Sequence, residues 1–294
     1  MKVLLLVFSG TNNSFYVCNE LKKEYQKLNI ETDILRLENV KELKDDYDLI
    51  GISYPIHAFS APRFVEKKIK ELKIKNKHYF IIKTSGELYQ LNSASSYYLY
   101  KLMNKNKNIF LAEYHVLMPY NIIFRFDDAI TSRILKANRN FIKKIAYETS
   151  NKRYKRIDFK TRYKLIRNIF KIQRLGAYLN SFLYKVNLDK CTKCMKCVNS
   201  CPTNNIKYEN NKFKFSTNCI MCMRCSFFCP EDAIRIGFLN SWKVNGKYDF
   251  EILKHDNLQY ESNERDSFYN NFLPYLEEHE EPFVLDYEIQ KDHS

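Results

Sequence analysis

Lys2–Phe8 (KVLLLVF) is a continuous apolar run, the pattern of a strand buried on both faces. It ends at once in Ser9-Gly10-Thr11-Asn12-Asn13-Ser14, after which Tyr16, Val17, Leu21, Tyr25 and Leu28 recur at helical spacing. The alternation then repeats. Thr32–Leu37, Leu49–Ser53 and Tyr79–Thr84 read as the next three strands, and Ile109–Met118 contains a fifth. Helical stretches fall between them, near residues 63–73, 93–106 and 127–150. Strands alternating with helices predict an α/β fold over residues 1–150, with a parallel sheet covered on both faces.

Beyond residue 150 the pattern breaks. Residues 151–185 carry eleven Lys/Arg and a single acid, Asp158, with Tyr163, Ile166, Ile169, Phe170 and Ile172 interleaved at helical spacing. We read 151–183 as a basic helical linker whose apolar side packs on its neighbours. Two other readings of 151–185 are an amphipathic helix on an anionic membrane and a nucleic-acid surface. The aromatics follow a helix face rather than a stacking platform, and no nucleic-acid-binding motif accompanies them. Residues 240–294 carry thirteen Asp/Glu and five Lys/Arg, so 241–294 is an acidic extension and a candidate cover for the basic segment.

Between these segments, residues 184–240 hold two copies of the spacing C-x₂-C-x₂-C-x₃-C-P. The first is Cys191, Cys194, Cys197, Cys201 and Pro202; the second is Cys219, Cys222, Cys225, Cys229 and Pro230. Eight thiolates at this spacing hold two [4Fe–4S] clusters. Structural zinc sites lack the third closely spaced cysteine and the C-P ending. A disulfide framework would need an oxidising compartment, and no cleavable signal precedes the chain. The half-repeats lie 28 residues apart, and each is followed by a short strand, Ile206–Tyr208 or Ile234–Ile236. A unit of about fifty residues has little core of its own, so metal must supply much of its folding energy. Of the charged residues among the cysteines, Lys193, Lys196 and Arg224 are either solvated or a positive collar for an acidic redox partner. Cys18, the ninth cysteine, lies on the first helix and reads as a small core residue.

The 184–240 segment resembles the bacterial two-[4Fe–4S] ferredoxins. That resemblance implies an exchange of fourth ligands: Cys191, Cys194, Cys197 and Cys229 on cluster I, and Cys219, Cys222, Cys225 and Cys201 on cluster II.

The segment Ser9–Ser14 is rich in helix-capping residues and equally suits an anion at a helix N-terminus. It resembles the flavodoxin phosphate loop S/T-x-T-G-N-T, matched by Ser9, Thr11, Asn13 and Ser14, with Asn12 where that family has glycine. Asn tolerates a positive φ better than most residues. The resemblance implies FMN and a sheet ordered 2-1-3-4-5. It also implies a ligand site where Ser9, Gly10, Thr11, Asn12, Asn13 and Ser14 meet two further strand ends, Tyr54-Pro55-Ile56-His57 and Thr84-Ser85-Gly86 with Tyr89. Tyr54, His57 and Tyr89 are candidates to cover the flavin ring.

Taken together, residues 1–250 resemble the flavodoxin–ferredoxin fusion proteins of anaerobes, including the Met118-Pro119-Tyr120-Asn121 stretch, Trp242 and Lys247-Tyr248. This implies an electron carrier that passes electrons between FMN and two [4Fe–4S] clusters and on to redox partner proteins. Two alternatives are an FMN-dependent oxidoreductase acting on a small organic or quinone-like acceptor, and a ferredoxin whose first domain only docks partners. No apolar run approaches the ~18 residues of a membrane span, and free cysteines with oxygen-sensitive clusters predict an anaerobic cytoplasm, with peripheral membrane contact through 151–185 as the remaining partner.

Overall fold

The computed structural model describes residues 1–88, 90–170, 172–244, 248–254 and 269–283. Five parallel strands form one sheet in the order β2-β1-β3-β4-β5: β1 (Lys2–Val7), β2 (Glu31–Arg36), β3 (Leu49–Pro55), β4 (His78–Ser85) and β5 (Ile109–Leu117). This is the predicted order. The period of two in β1 divides its side chains cleanly between two cores. Val3, Leu5 and Val7 face α1 (Asn13–Lys27) and α4 (Asp128–Ser150), whereas Leu4 and Leu6 face α2 (Arg63–Leu72) and α3 (Tyr97–Lys105). Both faces of the strand are therefore dry, as its uninterrupted apolar run requires.

The differences from the expected boundaries are local. Leu37 leaves the second strand for a 3₁₀ turn over Leu37–Asn39, and α3 starts at Tyr97 because Gln90–Ala94 forms a separate 3₁₀ turn. The basic segment forms α5 (Thr161–Phe170) and α6 (Gln173–Ser181).

Residues 184–236 fold as a pseudo-two-fold unit. Strand β6 (Tyr184–Val186) pairs antiparallel with β9 (Ile234–Ile236), and β7 (Ile206–Glu209) with β8 (Lys212–Phe215). Short helices α7 (Lys196–Asn199) and α8 (Arg224–Phe227) follow Met195 and Met223, both left-handed. The left-handed residues recur at the 28-residue period, Lys193 with Met221, Met195 with Met223, and Asn204 with Asp232. Non-glycine residues hold this conformation only when surrounding structure imposes it; here the two halves impose it alike.

The described part of the acidic extension does not lie on the basic segment. Helices α9 (Phe250–Leu253) and α10 (Leu273–Glu280) pack on α4, burying Phe250, Leu253, Phe272, Tyr275 and Leu276 in the core that α1 and α4 share. Arg133 pairs with Glu280, and the Tyr275 hydroxyl donates to Asn138. The burial of these five apolar and aromatic side chains outweighs the exposed charge attraction that would draw the tail to 151–185. Among the described residues, no helix is long and apolar enough to cross a membrane.

Candidate functional site

The structure gathers the eight cysteines around two cavities. Cys191, Cys194, Cys197 and Cys229 line the first, and Cys201, Cys219, Cys222 and Cys225 line the second. Each C-P cysteine sits with the triplet of the other half-repeat, because pairing β6 with β9 folds one half back across the other. The backbone around the sulfurs repeats as well. Lys193 and Met221 donate N–H bonds to Cys191 and Cys219 at 3.4 Å each, while Asn205 and Ala233 donate to Cys201 and Cys229 at 3.2 and 3.3 Å. Such bonds stabilise charge on sulfur and are a principal control on cluster potential. No three or more His, Cys, Asp or Glu among the described residues converge as ligands of one ion do. Four thiols spread around a cavity fit the donor set of a cubane cluster better than a tetrahedral ion with sulfur at ~2.3 Å.

Burial raises the Cys219, Cys222 and Cys225 thiols around the second cavity, Cys222 to about 12, and raises Cys197 in the first to about 11. Such thiols stay protonated until metal displaces the proton, so cluster assembly here releases protons. The buried hydroxyl of Tyr184 faces the Cys219 thiol at the edge of the second cavity.

The second cavity lies against the first domain. A β-carbon built on Gly10 would fall 2.0 Å from the carbonyl oxygen of Cys222, so only glycine permits this approach. Arg224 fastens the seam. Its guanidinium donates to the Ser9 carbonyl at 2.7 Å and the Ser200 carbonyl at 2.8 Å, and pairs with Glu38 at 2.7 Å. Arg224 and Glu38 are both about nine-tenths buried. Arg224 is thus neither solvated nor part of a collar, while Lys193 and Lys196 are exposed. A second seam joins Ile123, whose N–H donates to the Trp242 carbonyl at 2.8 Å. Sequence reasoning missed the Arg224–Glu38 pair because its partners are 186 positions apart, outside any local pattern.

The Ser9–Ser14 loop joins β1 to α1 as expected. Asn12 is left-handed, with φ 82°, and caps α1 without a side-chain bond; no acid occupies the first turn. The N–H groups that open α1 thus have no side-chain acceptor from the cap, and they suit an anion. Thr11 accepts from the Asn121 amide at 2.6 Å, which leaves the hydroxyl proton of Thr11 to be donated elsewhere. Asn121 also donates to Asn13, which donates in turn to the Pro119 carbonyl. On these grounds the loop fits the phosphate end of FMN through Thr11, Asn12 and Asn13. Ser9, Gly10 and Ser14 are instead buried, and the Ser14 hydroxyl is shared with Thr84 at 2.8 Å.

The other strand ends divide differently. Pro55, Ile56 and His57 are half-buried at the carboxyl end of the central strand β3, and Ser85, the last residue of β4, leads into the next loop at Gly86. Tyr120 lies over Gly86, where an added β-carbon would meet its ring at 2.3 Å. Tyr54 is fully buried in the core beneath α2 and α3, so its ring faces away from the loops; the period of two puts it on the same face as Ile52. Tyr89 lies outside the described residues. A buried ion pair, Lys83–Glu113 at 2.5 Å, sits below these loops, with Lys83 also donating to the Asn92 carbonyl.

Residues 183–230 match the model of the 4Fe-4S dicluster domain. No curated protein matches the chain. Similar solved structures include flavodoxin 2 from Bacillus cereus (TM-score 0.38, 10% identity, 52% of this chain and 99% of that one). A flavodoxin from Streptococcus pneumoniae is alike at TM-score 0.37 and 11% identity, over 51% of this chain and 97% of that one. Rubredoxin oxygen:oxidoreductase from the anaerobe Desulfovibrio gigas is similar at TM-score 0.37 and 11% identity, over 58% of this chain and 36% of that one. This chain therefore spans just over a third of the Desulfovibrio protein. The molecule joins a domain with the flavodoxin strand order to a ferredoxin-type domain for two [4Fe–4S] clusters.

Proposed function

We propose that the protein transfers electrons between FMN, bound at the N-terminus of α1, and the two clusters, and from them to external redox proteins. The observation that carries the reading is the contact of Gly10 with Cys222, which makes the wall of the second cavity and the phosphate loop one surface. FMN supplies two-electron chemistry and the clusters one-electron steps.

The roles of the chain's residues follow. Cys201, Cys219, Cys222 and Cys225 hold the cluster beside the loop. Cys191, Cys194, Cys197 and Cys229 hold the outer one, where Cys194 is exposed and Lys193 and Lys196 face solvent. This supports exit at the outer cluster, with those two lysines receiving an acidic partner. Thr11 and the N–H groups of Asn12 and Asn13 orient the flavin phosphate, and Arg224 keeps the inner cluster seated on the loop.

Protein purified anaerobically is expected to contain about eight iron, eight sulfide and one FMN. After a substoichiometric reductant pulse, flavin and cluster absorbance should relax together within one molecule, independently of protein concentration. Absence of flavin, or relaxation that speeds up with concentration, would overturn the reading.

A further inference from the structure

Helix α5 carries apolar residues on both of its sides, with Tyr163 and Ile166 packed in a cluster with Phe159 and Ala94. Arg167 is buried and faces Glu66, with Tyr163 beside it, whereas Leu165 and Ile169 point to solvent. On α6, Ala177 and Asn180 face the protein, while Leu179 and, just past the helix, Phe182 are exposed. Leu165, Ile169, Ile172 and Leu179 are 60–69% exposed. Leu165 and Ile169 lie four apart on α5, and Ile172, at the start of α6, lies seven before Leu179, so each helix carries an exposed stripe. Gly176 falls on the stripe of α6, and a β-carbon there would meet nothing within 4 Å. Asn180, on the inward side of α6, ties the helix to the turn after β9. Its side chain accepts from the N–H of Phe238 at 2.8 Å and donates to the Ile236 carbonyl at 2.9 Å. Phe238 is itself 84% exposed. A water-facing set of this kind marks a docking surface rather than scattered apolar residues.

Charge identifies the occupant. Residues 159–188 contain no Asp or Glu. Exposed Lys160 and Arg162 precede the stripes, and exposed Lys185 follows them. Exposed apolar tips with exposed cations before and after them are the composition of a segment lying in an anionic membrane interface, its aliphatic side chains inserted and its cations among headgroups. The inward faces of α5 and α6 are occupied by protein, so the outward stripes are the part free to insert. We infer that the α5–α6 face, with Phe238, seats the protein on an anionic lipid bilayer. This goes beyond the electron-transfer reading and stands independently of it.

The test is cosedimentation of anaerobic holoprotein with vesicles of phosphatidylcholine alone and with one-third phosphatidylglycerol. Binding to the anionic vesicles is expected, and it should weaken as salt rises. Lys160→Gln with Arg162→Gln should lower low-salt affinity about fivefold for each charge removed. Ile169→Glu with Leu179→Glu should reduce binding at least ~10-fold, with iron content and circular dichroism unchanged, since both positions are exposed. No binding to anionic vesicles, equal binding to both vesicle types, or full binding by the double-Glu variant would each overturn the inference. So would an absence of vesicle binding joined to a dimer that the same variant dissolves, which would give the face to a second copy of this chain.

Discussion

The carbonyl oxygen of Cys222 occupies the space that any side chain on Gly10 would need. One glycine in the first domain thus sets how closely the inner cysteine cavity approaches the phosphate loop. Because the obstacle is backbone rather than a flexible side-chain end, Gly10→Ala must push the two segments apart. It is expected to cost ~1–3 kcal/mol of stability, read from denaturant unfolding under anaerobic conditions. Electron exchange between the flavin and the inner cluster should slow in the same variant. Wild-type stability in Gly10→Ala would show that this contact does not set the seam.

Cys201→Ala removes a sulfur from the inner cavity and none from the outer one. The cluster held with Cys219, Cys222 and Cys225 should be lost or reduced to three iron, while the outer cluster persists. Electron paramagnetic resonance of the reduced protein separates the two. Damage confined to the cluster of Cys191, Cys194 and Cys197 would contradict the ligand sets.

Asn12 holds φ 82° where glycine would sit without strain. Asn12→Gly should relieve ~1 kcal/mol and tighten FMN up to about fivefold. Thr11→Ala removes the hydroxyl that Asn121 orients and should weaken FMN by ~1.5–3 kcal/mol. Titration of apoprotein, followed by flavin fluorescence, reads both. Unchanged affinity in Thr11→Ala would remove this hydroxyl from the phosphate site.

His115 is held neutral in the fold. Burial, and then the charge of Lys83, press its pKa down to about 3, and its ring nitrogen lies 2.7 Å from the Ser85 hydroxyl. An unfolded histidine titrates near 6.5. As pH falls below that value, the unfolded chain takes up a proton that the folded one refuses, so this contribution is complete above pH 6.5 and declines toward pH 3. Between pH 7 and pH 5 the loss should be on the order of 1–2 kcal/mol. In His115→Gln this part of the pH dependence should disappear. The comparison is made on the difference between variant and wild type, so cluster loss common to both cancels.

Much of the molecule is written locally. The run Lys2–Phe8 specifies a strand buried on both faces because only a central parallel strand keeps both of its faces dry. The cysteine spacing specifies a metal-bearing unit because eight thiols at that period supply the complete ligand sets of two [4Fe–4S] clusters. Tertiary structure decided the rest. Tyr54 stands at a strand end, as a flavin neighbour would, but β3 is central with both faces covered, and Tyr54 packs in the core on the α2–α3 side with Ile50 and Ile52. Ser9 and Ser14 were legible as hydroxyls of a phosphate loop, yet burial by Arg224 and Thr84 leaves the exposed part of that loop to Thr11, Asn12 and Asn13. The acidic tail was drawn to the basic segment on charge alone, whereas its apolar residues seat it on α4. Sequence determined the elements and the chemistry they carry, since these depend on short-range periodicity and spacing. Only the fold could bring Gly10 to Cys222 and Glu38 to Arg224, because contacts between residues some two hundred positions apart leave no trace in local order.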